Sequence, residues 1–338
     1  MSSRVRVWLV GVIGALLLAG AAGYGIIAWA DHRDRASAPS EAQSVTTDDL
    51  PTGPRVVFRN TAGGDGYGLV ASVPLADPTG VRTITGLACD RVYATAILQS
   101  CLHTDRGVVT TFNGTLLDAT GGEVDAWPLA GVPSRTRISP DSRLVAATSF
   151  VTGESYATVR FSTMTTISTT DGSLDYGNLE DFALLVDGAR VTAADRNIWG
   201  VTFGADDNTF FATAASAGRT WLVRGDLTAR TLTAIRDTAE CPSLSPDGTR
   251  IAYKKDRSPD DTAAWSIAVL DLATGTETIL PEERSVDDQV EWLDTETLLY
   301  GLARADEVGD SDVWSLSADG TSEATLFLAH AWSPAVIR

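Results

Sequence analysis

Few side chains in this sequence could carry covalent or metal chemistry, and their spacing limits what that chemistry can be. The cysteines are Cys89, Cys101 and Cys241. Eleven residues, an apolar run and a turn, separate the first two, so a hairpin can bring both sulfurs together. In an oxidising compartment the pair would form a disulfide that stabilises by about 3 kcal/mol in the chain-entropy account. The competing reading is two buried thiols. Cys241 stands among small residues on a strand and is expected as a buried, unreactive thiol. His32, His103 and His330 share no metal-ligand spacing, which argues against zinc. Acidic groups at Asp206-Asp207, Asp260-Asp261, Asp287-Asp288 and Asp306/Asp310/Asp312 could offer oxygens to Ca²⁺. They lack the glycine and terminal glutamate of an EF-hand, so they read as solvated loops, and no metal or cofactor is expected. Nucleophile elbow, P-loop and dinucleotide fingerprint are all missing from the sequence.

The elements that must position these residues are strands. The stretch Leu244-Ser245-Pro246-Asp247-Gly248-Thr249-Arg250-Ile251-Ala252-Tyr253 is a tight turn between two short apolar runs. Pro246 pre-sets φ, the Asp247 side chain can bond backbone two residues on, and Gly248 accepts a positive φ. Ile251 and Tyr253 then follow the strand period. The pattern recurs at residues 138–145, 203–210 and 292–299, with a weaker occurrence at 86–92. A second signal, a strand ending in an aspartate turn, recurs at Asp77, Asp118, Asp171, Asp226, Asp271 and Asp319. The mean spacing is about 48 residues, the period of four-stranded propeller blades. Six such blades fill residues 55–338, and the long interval after Asp171 predicts an insertion within residues 173–196, on one face of the ring. Trp221, Trp265 and Trp314 fall at comparable places in successive repeats and are expected in sheet packing.

The Ser-Pro-Asp-Gly-Thr-Arg-Ile-Ala-Tyr run at residues 245–253 resembles the repeat of TolB-like β-propellers, also described as WD40-like PD40 repeats. The likeness covers residues 55–338 as a period, and residues 138–148 and 244–255 match the motif well. It implies a six-bladed, all-β propeller outside the cytoplasmic membrane, with a binding role. The strand-and-helix domain that precedes the propeller in that family has no counterpart here.

An N-terminal transmembrane helix is expected in its place. Residues 7–30 carry no charged side chain, and 24 residues of helix span about 36 Å, enough to cross a bilayer. The alternative is a cleaved signal, since Ala28-Trp29-Ala30 could serve as its cleavage site. Ala21 stands where a lipidated cysteine would be, so no lipid anchor is expected. Residues 1–6 would then be cytoplasmic, 31–54 a flexible tether with too little apolar material to fold, and 55–338 an extracytoplasmic propeller, monomeric and single-pass in the cytoplasmic membrane. The formal net charge of −18 lies almost wholly after the tether and disfavours nucleic acid as a partner.

The expected function is capture of a protein or peptide partner in the cell envelope, without catalysis. The alternatives are a glycan hydrolase or lyase using carboxylates at the channel mouth, or an envelope ligand sensor. Each innermost strand of a propeller begins beside the channel. Its first residues predict a mouth formed by Arg135, Arg137, Arg196, Asn197, Trp199, Glu240, Asp287, Asp288, Gln289 and His330. Arginines would crowd one side and carboxylates the other, a mouth suited to an extended peptide or a zwitterion. The competing reading is a set of blade-to-blade ion pairs. The ring itself should close by a latch: residues 331–336 look like the first half of the turn motif, and residues 55–59 like its second half.

Overall fold

The computed structural model describes residues 30, 33–40, 42–47, 52–107, 109–151, 162–258, 264–305 and 307–338. Residues 1–29, the body of the expected membrane span, lie outside them. Among the described residues no helix is long and apolar enough to cross a membrane. Two compact units are distinguished. The small one, residues 1–41 with 62–67, includes a Gly64 N–H bond to the Arg35 carbonyl at 2.8 Å and an Arg35 bond to the Tyr67 hydroxyl at 3.2 Å.

The large unit is a six-bladed propeller. Taking blades in chain order, the innermost strands are Ala331–Ile337, Arg91–Ala94, Val132–Ile138, Asn197–Phe203, Glu240–Leu244 and Glu291–Trp292. Each leads outward through an antiparallel meander. Blade 1 is closed by the expected latch: Ala331–Ile337 pairs with Arg55–Asn60, with Val56 opposite Val336. The first and last strands of the antiparallel meander thus remove each other's open edge.

Two departures from expectation lie at outer edges. The segment read as a tether contributes a strand, Ser44–Thr46, parallel to Arg82–Ala88 of blade 1. The expected insertion does not sit on one face. It forms a hairpin, Ala183–Val186 with Ala189–Val191, that extends the sheet of blade 4 beside Thr231–Asp237. Residues 86–92 are not a turn motif either: they cross from blade 1 to blade 2. There Cys89 and Cys101 form a disulfide across a Cα separation of 5.4 Å. Cys241 is a buried free thiol.

The turn chemistry is as the residue types require. Gly248 has φ +71° and donates to the Ser245 carbonyl at 2.8 Å. One Asp247 oxygen accepts from the Ser245 and Thr249 hydroxyls and from Thr249 N–H. In blade 3, Ser142 takes the positive-φ place at +63°, and its hydroxyl bonds Thr95 of blade 2 at 2.8 Å. The core lies in the seams between sheets, where each fully buried large side chain contributes about 1.5–3 kcal/mol. Phe58 with Leu299 fills the seam of blades 1 and 6, Tyr253 with Leu222 that of 4 and 5, and Trp292 with Ile267 that of 5 and 6. Trp221, Trp265 and Trp314 pack as expected, each with a cation over its ring: Arg219, Lys254 and Arg284.

Candidate functional site: two ends of one channel

All six innermost strands run in one direction, so the channel has an end where they begin and an end where they finish. The mouth predicted from the sequence is the first of these, and it is narrow. Below it lies a cavity of only ≈20 Å³, lined among others by Arg91, Arg135, Arg137, Asp288, Gln289 and Ser333. The second end opens into a bowl of ≈400 Å³ to which every blade contributes, including Tyr93 and Thr95, Pro140, Ala205, Pro246, Trp292 and Arg338. Tyr93 and Arg137 line both spaces, so they form the partition between them.

That partition is an ion pair laid across the ring. Arg137 of blade 3 meets Glu291 of blade 6, three blades away, with both side chains buried at 7% and 6% exposure. Its second terminal nitrogen donates to the Val290 carbonyl at 2.9 Å, and its guanidinium lies 4.5 Å from the centre of the Tyr93 ring. Burial works against the charge on Arg137, and the opposing charge of Glu291 more than offsets it, so its pKa lies above the ordinary value. Burial and then the Glu291 charge push the Tyr93 phenol up to about 12.

The other predicted residues do not assemble into one open mouth. Asp288 is buried, accepts from Gly301 N–H at 3.1 Å and faces Arg91 at 3.8 Å. Gln289 is buried and donates to the carbonyls of Val201 and Pro242. Asp287, 74% exposed, pairs with the buried Lys254 at 2.5 Å. Glu240 stands opposite Lys254 in the strand register; burial first of all pushes its carboxyl up to about 7, against the pull of Lys254. Trp199 is buried. Arg196 lies away from the channel, donating weakly to the Phe182 and Val191 carbonyls. Asn197 accepts from Thr163 N–H across the seam of blades 3 and 4. In the same seam Glu180 accepts from Ile198 N–H and the Thr163 hydroxyl at 3.0 Å each, and burial pushes it up to about 7.

His330 belongs to a third place, the join of blades 6 and 1. Its Nδ1 lies 2.7 Å from Asp310. The donor atoms of Glu307, Asp310 and His330 fall within 4.8 Å of one another. Asp310 already accepts from the Thr61 hydroxyl and Ser311 N–H, and Arg304 stands 3.3 Å away, a cation that competes with any metal for the same oxygen. Asp310 is therefore buried structure rather than the solvated loop expected of it. Asp306, Asp260 and Asp261 lie outside the described residues.

The sequence reading missed Arg91, Tyr93 and Glu291. The first two are hidden because residues 86–92 resemble the turn motif, which conceals the innermost strand of blade 2. Glu291 was within reach: it follows Gln289 by two residues, the strand period.

The wide end is acidic. The inner turns place Asp141, Asp206, Asp247 and Asp294 there, and the outer turns Asp118, Asp171, Asp226, Asp271 and Asp319. Hydrogen bonds from neighbouring hydroxyls and backbone N–H groups hold Asp118, Asp247 and Asp319, among others, below the usual carboxylate range. A groove of ≈770 Å³ between blades 4 and 5, floored by Phe211, Leu270 and Leu272, shares Gly204, Ala205, Leu244, Asp247 and Gly248 with the bowl. Bowl and groove are thus one continuous depression.

Among solved structures, TolB from Acinetobacter baumannii matches with a TM-score of 0.58 at 15% identity, over 86% of this chain and 68% of that one. Kuenenia stuttgartiensis hydrazine synthase (0.47, 13% identity, 81% and 76% covered) and an oligogalacturonate lyase in complex with manganese (0.46, 12%, 76% and 72%) match more loosely. No family model and no curated protein matches the sequence. The fold is that of a TolB-like six-bladed propeller.

Proposed function

We propose that this propeller is a binding module that takes an extended protein or peptide segment at the wide end of its channel, without catalysis. In this reading residues 7–30 anchor the chain in the cytoplasmic membrane and the propeller works outside it, as a monomer, on an envelope partner. The observation that carries the reading is the continuous depression of bowl and groove, whose volumes of ≈400 and ≈770 Å³ suit a peptide rather than a metabolite of a few atoms. Supporting it, the carboxylate at the floor of the bowl, Glu291, is neutralised by Arg137. On the rim, Asp247 has one oxygen committed to its own turn. Neither is arranged as a proton donor and acceptor about a shared substrate atom.

The test is site-specific photocrosslinking in cells, with the reactive residue placed at Ala205 or Pro246 on the rim and at Val124 on the outer edge of blade 2. One discrete adduct from the two rim positions, missing from position 124, is expected. Equal labelling from position 124, or adducts only from Val132 at the narrow end, would overturn the wide-end reading. The membrane placement is checked separately: the intact chain should resist carbonate extraction, with the propeller open to protease in spheroplasts. A soluble mature chain beginning at Asp31 would show a cleaved signal instead.

A further inference from the structure

The small cavity at the narrow end has a chemistry of its own. At ≈20 Å³ it has room for one water molecule or a single small ion. Two of its guanidinium groups are incompletely used: Nε of Arg135 and Nε of Arg137 are both buried, and neither meets an acceptor among the described residues. Apart from the buried Cys241 thiol, a weak acceptor beside Arg135, the neighbouring polar groups are already committed. The Gln289 amide serves the Val201 and Pro242 carbonyls, the Ser333 hydroxyl donates to the Val92 carbonyl, and Arg135 gives a terminal nitrogen to its neighbour Ser134 at 2.8 Å. A buried donor left unpaired costs about 1–3 kcal/mol.

The charges do not balance either. Arg91, Arg135 and Arg137 surround the cavity, against Asp288 and Glu291. Lys254 and Asp287 at the rim neutralise each other. Although Asp287 at the rim also acts on Arg135 and Arg91 is 18% exposed, one positive charge is left over among the groups that line the cavity. Its effect is visible on Arg91: burial, and behind it the like charge of Arg135, push that guanidinium down to about 9, with Asp288 only partly offsetting them.

We infer that the cavity is a site for a single monatomic anion, chloride in ordinary solution, held by the Nε–H groups of Arg135 and Arg137. A water molecule would satisfy the donors but leave the excess charge. Sulfate, phosphate or a carboxylate would answer the charge but is too large for the space. The Arg137–Glu291 pair and Tyr93 separate the anion from the bowl, so this site does not depend on what the bowl binds.

The experiment uses the full-length protein in detergent, in gluconate buffer at constant ionic strength, with chloride or bromide replacing gluconate. A saturable rise in melting temperature of about 4 °C is expected once halide exceeds its Kd a hundredfold. Sulfate should give no such rise. Arg135→Gln should abolish it, while Arg143→Gln, exposed on the inner turn of blade 3 at the wide end, should keep it. Crystals grown in bromide should show an anomalous peak between Arg135 and Arg137, which decides the matter even if Arg135→Gln fails to fold. A rise that follows ionic strength whatever the anion, or survives Arg135→Gln, or a cavity holding only water in bromide crystals, would overturn the site.

Discussion

The two ends of the channel are built from the same six strands, yet they differ in every property that bears on binding. Where the strands begin, long charged side chains reach inward from blades 2, 3 and 6 and fill the bore, leaving ≈20 Å³. Where they finish, the chain turns back through short residues such as Gly204, Ser245 and Gly248, and the bore widens to ≈400 Å³. The narrow end carries inward arginines, Arg137 buried among them; the wide end carries turn aspartates. The difference shows how a propeller divides its labour. Side chains from opposite blades tie the ring together at one level, and the turn residues needed to reverse each strand leave the next level open. Most charges at the first level face one another, as Arg137 faces Glu291, whereas those at the second face solvent.

The largest test removes the distinction altogether. Deleting residues 331–338 takes Trp332 and Ser333 from the narrow end and Arg338 from the bowl, and strips blade 1 of its innermost strand. Cooperative thermal unfolding of the propeller should be lost or shifted down by tens of degrees. A truncated protein melting within about a degree of the parent would refute the latch, since even 1 kcal/mol moves a large domain by about 2 °C or more.

A sharper break acts on the partition alone. Arg137→Met or Glu291→Leu should each cost about 3–5 kcal/mol in urea unfolding, because either leaves its partner buried and unpaired. The double variant should recover most of that loss. If the single substitutions cost less than about 1 kcal/mol, the pair is not what separates the two ends.

The smallest effect contrasts the two ends by pH. Glu240 beside the narrow end is raised from 4.5 to about 7, so the folded protein holds a proton there that the unfolded chain releases. Stability is therefore lost as pH climbs from about 4.5 through 7. Asp247 on the rim is lowered, by the Ser245 hydroxyl first of all; its contribution is present above the ordinary aspartate value of 3.8 and lost as pH falls through its folded pKa. Glu240→Gln should thus gain on the parent between pH 5 and 8. Asp247→Ala should lose about 1 kcal/mol at pH 7 and progressively less as pH falls below 3.8. Denaturant midpoints measured across that range check both, and equal slopes for the two variants would erase the contrast.

Much of this architecture is legible in the sequence alone. Pro246, Asp247 and Gly248 demand a turn, and the apolar alternation around them demands strands. Repetition near 48 residues then demands blades. The latch followed from two half-motifs at residues 331–336 and 55–59. The site was less legible. Glu240, Asp287 and Asp288 do gather near Arg135, but Arg196 and His330, read as their neighbours, fall in separate seams. The innermost strand of blade 2 went unread because Arg91–Ala94 is short and follows the blade crossing without a turn of the Pro-Asp-Gly kind.

Local chain chemistry therefore set the strands, the turns, the number of blades and the face on which every repeat aspartate would lie, since each of these depends on residues within a few positions of one another. Tertiary structure alone decided that Arg137 would meet Glu291, 154 residues and three blades away, and that the bore would close at one end and open at the other. A strand period tells which side chains face the channel, but how far they reach across it, and what charge they find there, depends on the radius of the closed ring, which no local segment encodes.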